Sequence, residues 1–228
     1  EPALLGPGVF TNYAVGGARA RPGAPVFSAF DLSTQVGLFL SDFGGQASPT
    51  DLYVIWIGAN DLNDALNALA TDLSGATSFG IIQAAITAVA GNIQALWASG
   101  ARTFLIPNVP NLAITPAVRA LGPFAQVVAT QFTGAYNQAL DQALNTLQGL
   151  LPQIHFVRLD VNALFINLLA APEAAGVTNV DDACLAFGVT GRAICRTPNR
   201  YLFWDGIHPT KTGHDLIAEA AFLTLADP

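Results

Sequence analysis

Charge is scarce in this chain of 228 residues. Asp, Glu, Lys and Arg make up 11% of it, there are eight arginines and a single lysine, and the formal net charge is −7. The cations are scattered, with no basic run, which argues against the clustered phosphate-neutralising surface that nucleic acid requires. Low charge beside 52% hydrophobic residues also argues against disorder and for a large buried core. Long apolar runs are missing as well. The nearest approaches, around 81–98 and 124–148, are interrupted by Gln, Asn and Thr. None reaches the ~18 uninterrupted apolar residues of a membrane span, so no transmembrane segment is expected. The opening residues, EPALLGPG, have neither the basic start nor the apolar stretch of a signal peptide. Glu1 is accordingly read as lying within a longer gene product.

Cysteine is nearly absent too. Cys184 and Cys195 are the two in the chain. With no histidine close by they cannot form a tetrahedral metal set, and no metal or other cofactor is expected. They are either free buried thiols or one disulfide closing a short loop in an exported protein. The Gly-containing stretch between them favours the disulfide.

What is present reads as strands alternating with helices. VFTNYAV (9–15) has the pattern of a short strand ending at the turn signal Gly16-Gly17. Residues 31–43 read as a helix with Asp31 or Ser33 at its start. LYVIWIG (52–58) is a continuous apolar run, expected for a strand covered on both faces. Helical spacing follows over 61–73 and 78–98, then a buried strand over 102–108 stopped by Pro107. A long helix over about 115–148 is expected to break at Gly122-Pro123. A strand at 154–160 and a helix near 161–170 come next. Residues 171–203 read as irregular, and a closing helix over 209–226 has Pro209 in its first turn. This is an α/β pattern with a mostly parallel sheet. Ligands of such sheets bind outside the carboxyl ends of the strands. Gly16-Gly17, GANDL (58–62) and PNVPNL (107–112) all fall at such ends.

Each marked residue has a plain reading and a chemical one. Gly16-Gly17 is an ordinary turn or a backbone N–H aimed at an oxyanion. Asn60 is a helix cap or an amide donor to an oxyanion, and Asp61 is the residue expected to cap that helix. In WDGIHPT (204–210) an Asp stands three residues before a His. That pair makes a structural turn, a metal-binding histidine, or an acid–base pair in which the carboxylate orients the imidazole. His155 reads as a core or rim histidine and His214 as a solvated one.

Taken in order, these blocks resemble the SGNH (GDSL) family of esterases and lipases, from about Thr11 to the end of the chain. NYAVGGA is similar to the second family block, whose glycine donates a backbone N–H to the oxyanion hole, and Gly17 is the matching position. GAND is similar to the third, with Asn60 as the second oxyanion donor. DGIHP is similar to the fifth, with Asp205 as acid and His208 as base. PNVPNLAITP and YLFWDGIHPT, the latter after a cysteine pair, are similar to a secreted and autotransporter-type branch. The resemblance implies a single three-layer α/β/α domain over residues 1–228, an acyl-ester or lipid substrate, and a secreted or cell-surface location, the bacterial envelope included.

One block is missing. The family's first block, a Gly-Asp-Ser turn after the first strand, supplies the nucleophile. None of Ser28, Ser33, Ser41, Ser48, Ser74, Ser78 and Ser99 stands in that context. The nucleophile is therefore unidentified in this chain, and a segment upstream of Glu1 is expected to supply it. The resemblance makes the missing strand central, with a sheet order 2-1-3-4-5. Its absence would orphan several backbone groups at about 1–3 kcal/mol each, so an N-terminal fragment is expected to complete the sheet. Two other readings follow from the same gap. One is an inactive fragment or a catalytically inactive protein that keeps the cleft and binds ligands. The other is replacement of the nucleophile by an internal serine, Ser41 or Ser28.

Overall fold

The computed structural model describes residues 11–23, 30–186 and 193–226. They form two compact units: one from the stretches up to Val109 and Gly134–Val157, the other from Pro110–Thr133 and Arg158 onward. The class is mixed α/β, with parallel strand pairing in both sheets.

The first unit is built on β1 (Leu52–Val54), β2 (Thr103–Pro107) and the start of β3 (His155–Leu159), in sheet order β1-β2-β3. β1 and β2 run parallel with Tyr53 opposite Phe104, and the Ile55 N–H extends the ladder to the Leu105 carbonyl at 3.1 Å. An aromatic row crosses the strands: Tyr53 lies 5.6 Å from Phe104, and Phe104 lies 5.9 Å from Phe156, centroid to centroid. Phe39 of α1 (Leu32–Asp42) packs edge-on against Tyr53. Each fully buried side chain of this size stabilises the unit by about 1.5–3 kcal/mol. Asp31 caps α1 as expected, accepting the Thr34 N–H at 2.9 Å.

α2 (Ala59–Ala68) and α3 (Ala76–Ala98) follow β1. In α3 the buried positions Ser78, Ile82, Ala85, Ile86, Val89, Asn92, Ile93 and Leu96 recur at helical spacing. By length and composition α3 is apolar enough to cross a membrane. Here it packs against α1 and α2, and its polar members are tied into the fold. The Ser78 hydroxyl donates to the Ala65 carbonyl, and the Asn92 amide donates to the Ser33 hydroxyl and the Ala88 carbonyl.

The second unit holds α4 (Pro116–Ala120), α6 (Val161–Ala170), the parallel pair β4 (Asn179–Ala183) and β5 (Tyr201–Phe203), and α7 (Lys211–Ala226). Gly122 at φ 92° separates α4 from α5 (Pro123–Leu150), so the expected break at Gly122-Pro123 is present. α5 and β3 each run through the boundary between the units.

The structure departs from the sequence reading of the strands and the closing helix in four places. Of the strand expected at 9–15, Val9 and Phe10 lie outside the described residues, and among 11–15 a single residue, Asn12, carries a bridge. The 52–58 run is covered on one face only: Leu52, Val54 and Trp56 are 41%, 59% and 40% exposed, while Ile55 is buried. The irregular region contains β4 and β5. The Asp pair in β4 and the three-residue length of β5 hide both from any periodicity argument. Pro209 is not the first residue of the closing helix. It bridges Phe203, and Thr210 accepts the Gly213 N–H at the helix start.

Candidate active site

The glycine pair lies in a turn closed by the Ala18 N–H on the Val15 carbonyl at 3.2 Å. Gly17 has φ 82°, a conformation that side chains strain against. Among the described residues nothing accepts a hydrogen bond from its N–H. Asn60, in the first turn of α2, donates one amide hydrogen to the Ala18 carbonyl at 3.0 Å. A carboxamide carries two such hydrogens, so the second is available to another acceptor. The structure thus brings Gly17 and Asn60 together, with Asn60 acting across the loop and not as a cap.

Asp61 does not cap the helix either. Gly58 is the cap residue, with no side-chain bond. Asp61 is fully buried and turns back onto the glycine loop, accepting the Ala20 N–H at 2.8 Å, the Arg21 N–H at 3.4 Å and the Arg21 guanidinium at 2.7 Å. One turn on, Asp64 takes both guanidinium groups, Arg19 through two bonds at 2.9 and 3.0 Å and Arg21 at 2.7 Å. Arg19 also donates to the Gly17 carbonyl. Two carboxylates on one helix face therefore clamp two arginines of the segment that follows the glycine turn, and Arg19 links that clamp to the Gly17 carbonyl. Burial lifts the Asp61 carboxyl above its ordinary value, against the pull of the Ala20 N–H and Arg21. Asp64 is also opposed by burial, but Arg19 and Arg21 outweigh it and hold its carboxyl below the usual range. The sequence carried a signal for this clamp: arginines two apart before the helix, and acids three apart on it.

Gly58 has its own reason. At φ 120° it faces the buried Tyr136, whose hydroxyl donates to the Ile57 carbonyl at 2.9 Å. A Cβ at Gly58 would lie 2.3 Å from that ring. The approach to Asn60 is fixed by this contact.

In the second unit, Asp205 and His208 form one closed turn. Asp205 Oδ1 accepts the N–H groups of Ile207 and His208, each at 2.8 Å, and Oδ2 lies 2.8 Å from His208 Nδ1. The Trp204 N–H closes the turn on the His208 carbonyl at 2.8 Å. The Asp205 side chain is 15% exposed and that of His208 is 67% exposed. Burial acts to raise the Asp205 carboxyl, but the His208 and Ile207 N–H groups and the imidazole prevail and hold it below its ordinary value. A carboxylate on Nδ1 fixes the tautomer with its lone pair on Nε2, which suits His208 to take a proton there. The disulfide Cys184–Cys195 is formed, and the Cys184 and Leu185 N–H groups bond the Phe203 and Trp204 carbonyls, bracing the strand that enters the turn.

The remaining histidines, His155 on β3 and His214 on α7, are exposed. Ser41 lies in the last turn of α1, and Ser28 falls outside the described residues. Among the described residues no group of three or more His, Cys, Asp or Glu side chains is placed to hold a metal.

A family description, the GDSL-like lipase/acylhydrolase, matches residues 4–221 and so takes in Gly17, Asn60, Asp205 and His208. The chain belongs to the GDSL family. A GDSL esterase/lipase of Arabidopsis thaliana is 29% identical over 171 residues, covering 73% of this chain and 48% of that protein. Another from the same plant is 32% identical over 126 residues, 55% of this chain and 36% of that protein. Lipase 1 of Photorhabdus luminescens is 25% identical, covering 96% of this chain and 42% of that protein. The GDSL chain described here thus spans less than half the length of each of these relatives.

Proposed function

We propose that the protein is a carboxylic-ester hydrolase of the serine type. The observation that carries this reading is the Asp205–His208 turn, in which the carboxylate holds Nδ1 and leaves Nε2 of an exposed imidazole for proton transfer. In the reaction His208 takes the proton of a serine hydroxyl as the serine oxygen attacks the acyl carbonyl. The Gly17 N–H and the second Asn60 amide hydrogen hold the oxyanion. The protonated imidazole then gives its proton to the leaving alcohol, and water, deprotonated by the same His208, releases the carboxylic acid. The chemistry as written uses no cofactor. The substrate is an acyl ester or lipid.

The serine is supplied by a segment preceding Glu1, since none of the seven serines stands in a Gly-Asp-Ser turn. That segment also adds a strand to the sheet and completes one hydrolase domain. β1 stands at the end of the order β1-β2-β3, so its outer edge has no strand beside it among the described residues, which supports an additional strand there. Secretion or display at the cell surface is supported by the Cys184–Cys195 disulfide, since such bonds persist in oxidising compartments.

The test is fluorophosphonate labelling of the 228-residue chain and of the same chain with its native upstream coding sequence, read by mass spectrometry of every polypeptide. Label on an upstream serine alone supports the reading. Label within the 228 residues assigns the nucleophile to an internal serine and overturns the upstream placement. No label on either form overturns the hydrolase reading in favour of a catalytically inactive binding protein.

A further inference from the structure

A backbone donor to an oxyanion is useful only if its place is fixed before the reaction. The turn that carries the Gly17 N–H has little of its own to fix it. Both central residues, Gly16 and Gly17, are glycines, and a Cβ at Gly16 would meet nothing within 4 Å. Two adjacent glycines give the backbone wide conformational freedom. The constraint on this turn therefore comes from hydrogen bonds, and their pattern is specific.

The peptide that follows Gly17 is held at both ends. Its N–H, from Ala18, donates to the Val15 carbonyl at 3.2 Å, and its carbonyl, from Gly17, accepts from Nη1 of Arg19. The other two nitrogens of that guanidinium are committed to one carboxylate. Nε lies 3.0 Å from Oδ2 of Asp64, and Nη2 lies 2.9 Å from Oδ1. A two-pronged pair of this kind sets the orientation of the guanidinium plane, so Asp64 determines where Nη1 points. The Arg19 and Asp64 side chains are 12% and 19% exposed, which leaves water little access to compete. The next carbonyl, that of Ala18, accepts from Asn60 at 3.0 Å. Asn60 and Asp64 stand four apart on α2, on one face of the helix. Two successive carbonyls after the turn are thus referred to the same face of α2 that presents Asn60.

We propose that Arg19 is a positioning residue of the oxyanion hole: oriented by Asp64, it holds the Gly17 peptide so that the Gly17 N–H and the Asn60 amide keep a fixed spacing. The inference rests on the ester-hydrolase reading, but half of its test does not need turnover. In the chain carrying its upstream segment, NMR order parameters are measured for the backbone amides. That of Gly17 is expected to fall from about 0.85, the rigid value, to below about 0.6 in Arg19→Ala. With p-nitrophenyl acetate the same variant is expected to lose about 10²-fold in kcat, the effect of a displacement of about 1 Å, with KM within threefold of wild type. Arg19→Lys keeps the charge beside Asp64 but replaces the fork with one ammonium, and should lose about tenfold. It also carries the test if the alanine variant does not fold. Arg102→Ala frees the carbonyls of Trp97 and Ala101 elsewhere in the same unit. It is expected to lower the Tm and leave kcat within twofold, as a merely structural arginine would.

A kcat within threefold of wild type in both Arg19 variants would overturn the proposal. So would a reduced kcat with the Gly17 amide as rigid as before, or an equal loss of kcat in Arg102→Ala. Loosening of Gly17 in a protein that turns over no ester, wild type included, refutes the hydrolase and leaves Arg19 as the residue that holds Gly17.

Discussion

Removing the Asp61 carboxylate tests whether the glycine loop is held by the buried clamp. Asp61→Ala deletes three bonds at once: the Ala20 N–H at 2.8 Å, the long Arg21 N–H contact at 3.4 Å, and the Arg21 guanidinium at 2.7 Å. The buried Ala20 N–H left unpaired costs about 1–3 kcal/mol. Breaking a buried ion pair from one side costs about 3–5 kcal/mol where the partner is left alone. Arg21 is not left alone, because Asp64 still holds it at 2.7 Å. The sum therefore falls near the lower figure, about 3 kcal/mol. Asp61→Asn keeps an acceptor oxygen for the Ala20 N–H. It also removes a charge that burial opposes, so it should cost about half as much. For a chain of this length 3 kcal/mol corresponds to a fall in Tm of about 6–12 °C. Urea unfolding at pH 7, followed by circular dichroism, measures both variants. Hydrogen exchange at the Ala20 amide reports the loop directly and should accelerate in the alanine variant. A loss below 1 kcal/mol for Asp61→Ala, or equal losses for the two variants, would refute the claim that the clamp holds the loop.

Three further outcomes are expected. Gly58→Ala drives a Cβ to 2.3 Å from the Tyr136 ring at a φ of 120°, so it should destabilise by about 2–5 kcal/mol, read in the same urea titration. Burial raises the Tyr136 hydroxyl well above its ordinary value of 10.0. Its contribution to stability is therefore full below about pH 10 and lost above it, as the unfolded state releases the proton first. Asp205 lies on the other limb. Its lowered value adds stability above the unfolded carboxylate's pH range, and that contribution disappears as pH falls through the folded value. A stability profile from pH 3 to 11 that falls at neither end would contradict both assignments. Asp205→Asn keeps an oxygen for the Ile207 and His208 N–H groups but turns an N–H₂ toward Nδ1, forcing the imidazole proton onto Nε2. In the chain with its upstream segment, kcat should fall about 10⁴-fold, while the Tm at pH 7 falls only by the contribution of the lost carboxylate charge. A fall below tenfold would remove Asp205 from the relay.

Local chemistry carried much of the fold. The Asp31 cap, the break at Gly122-Pro123 and the buried stripe of α3 each follow from residues close together in sequence, and each is present. So is the Asp205–His208 bond, because three residues around a glycine are enough to close that turn. The exposed face of β1 was not legible, since an apolar run has the same appearance whether or not something lies against it. β4 was hidden because its two aspartates contradict strand propensity, and pairing with β5 overrides them. Asp61 read as a cap by local rules. Its true partners lie 40 and 41 residues away, and only the chain's return to α2 delivers the Ala20 and Arg21 N–H groups to it.

The sequence by itself determined the α/β class, the Asp31 cap, the break at Gly122-Pro123 and the Asp205–His208 turn, because each depends on short-range geometry and hydrogen bonding. Tertiary structure alone decided which buried charges meet and why Gly58 admits no side chain. Those depend on packing between segments far apart in the chain, which no local pattern encodes.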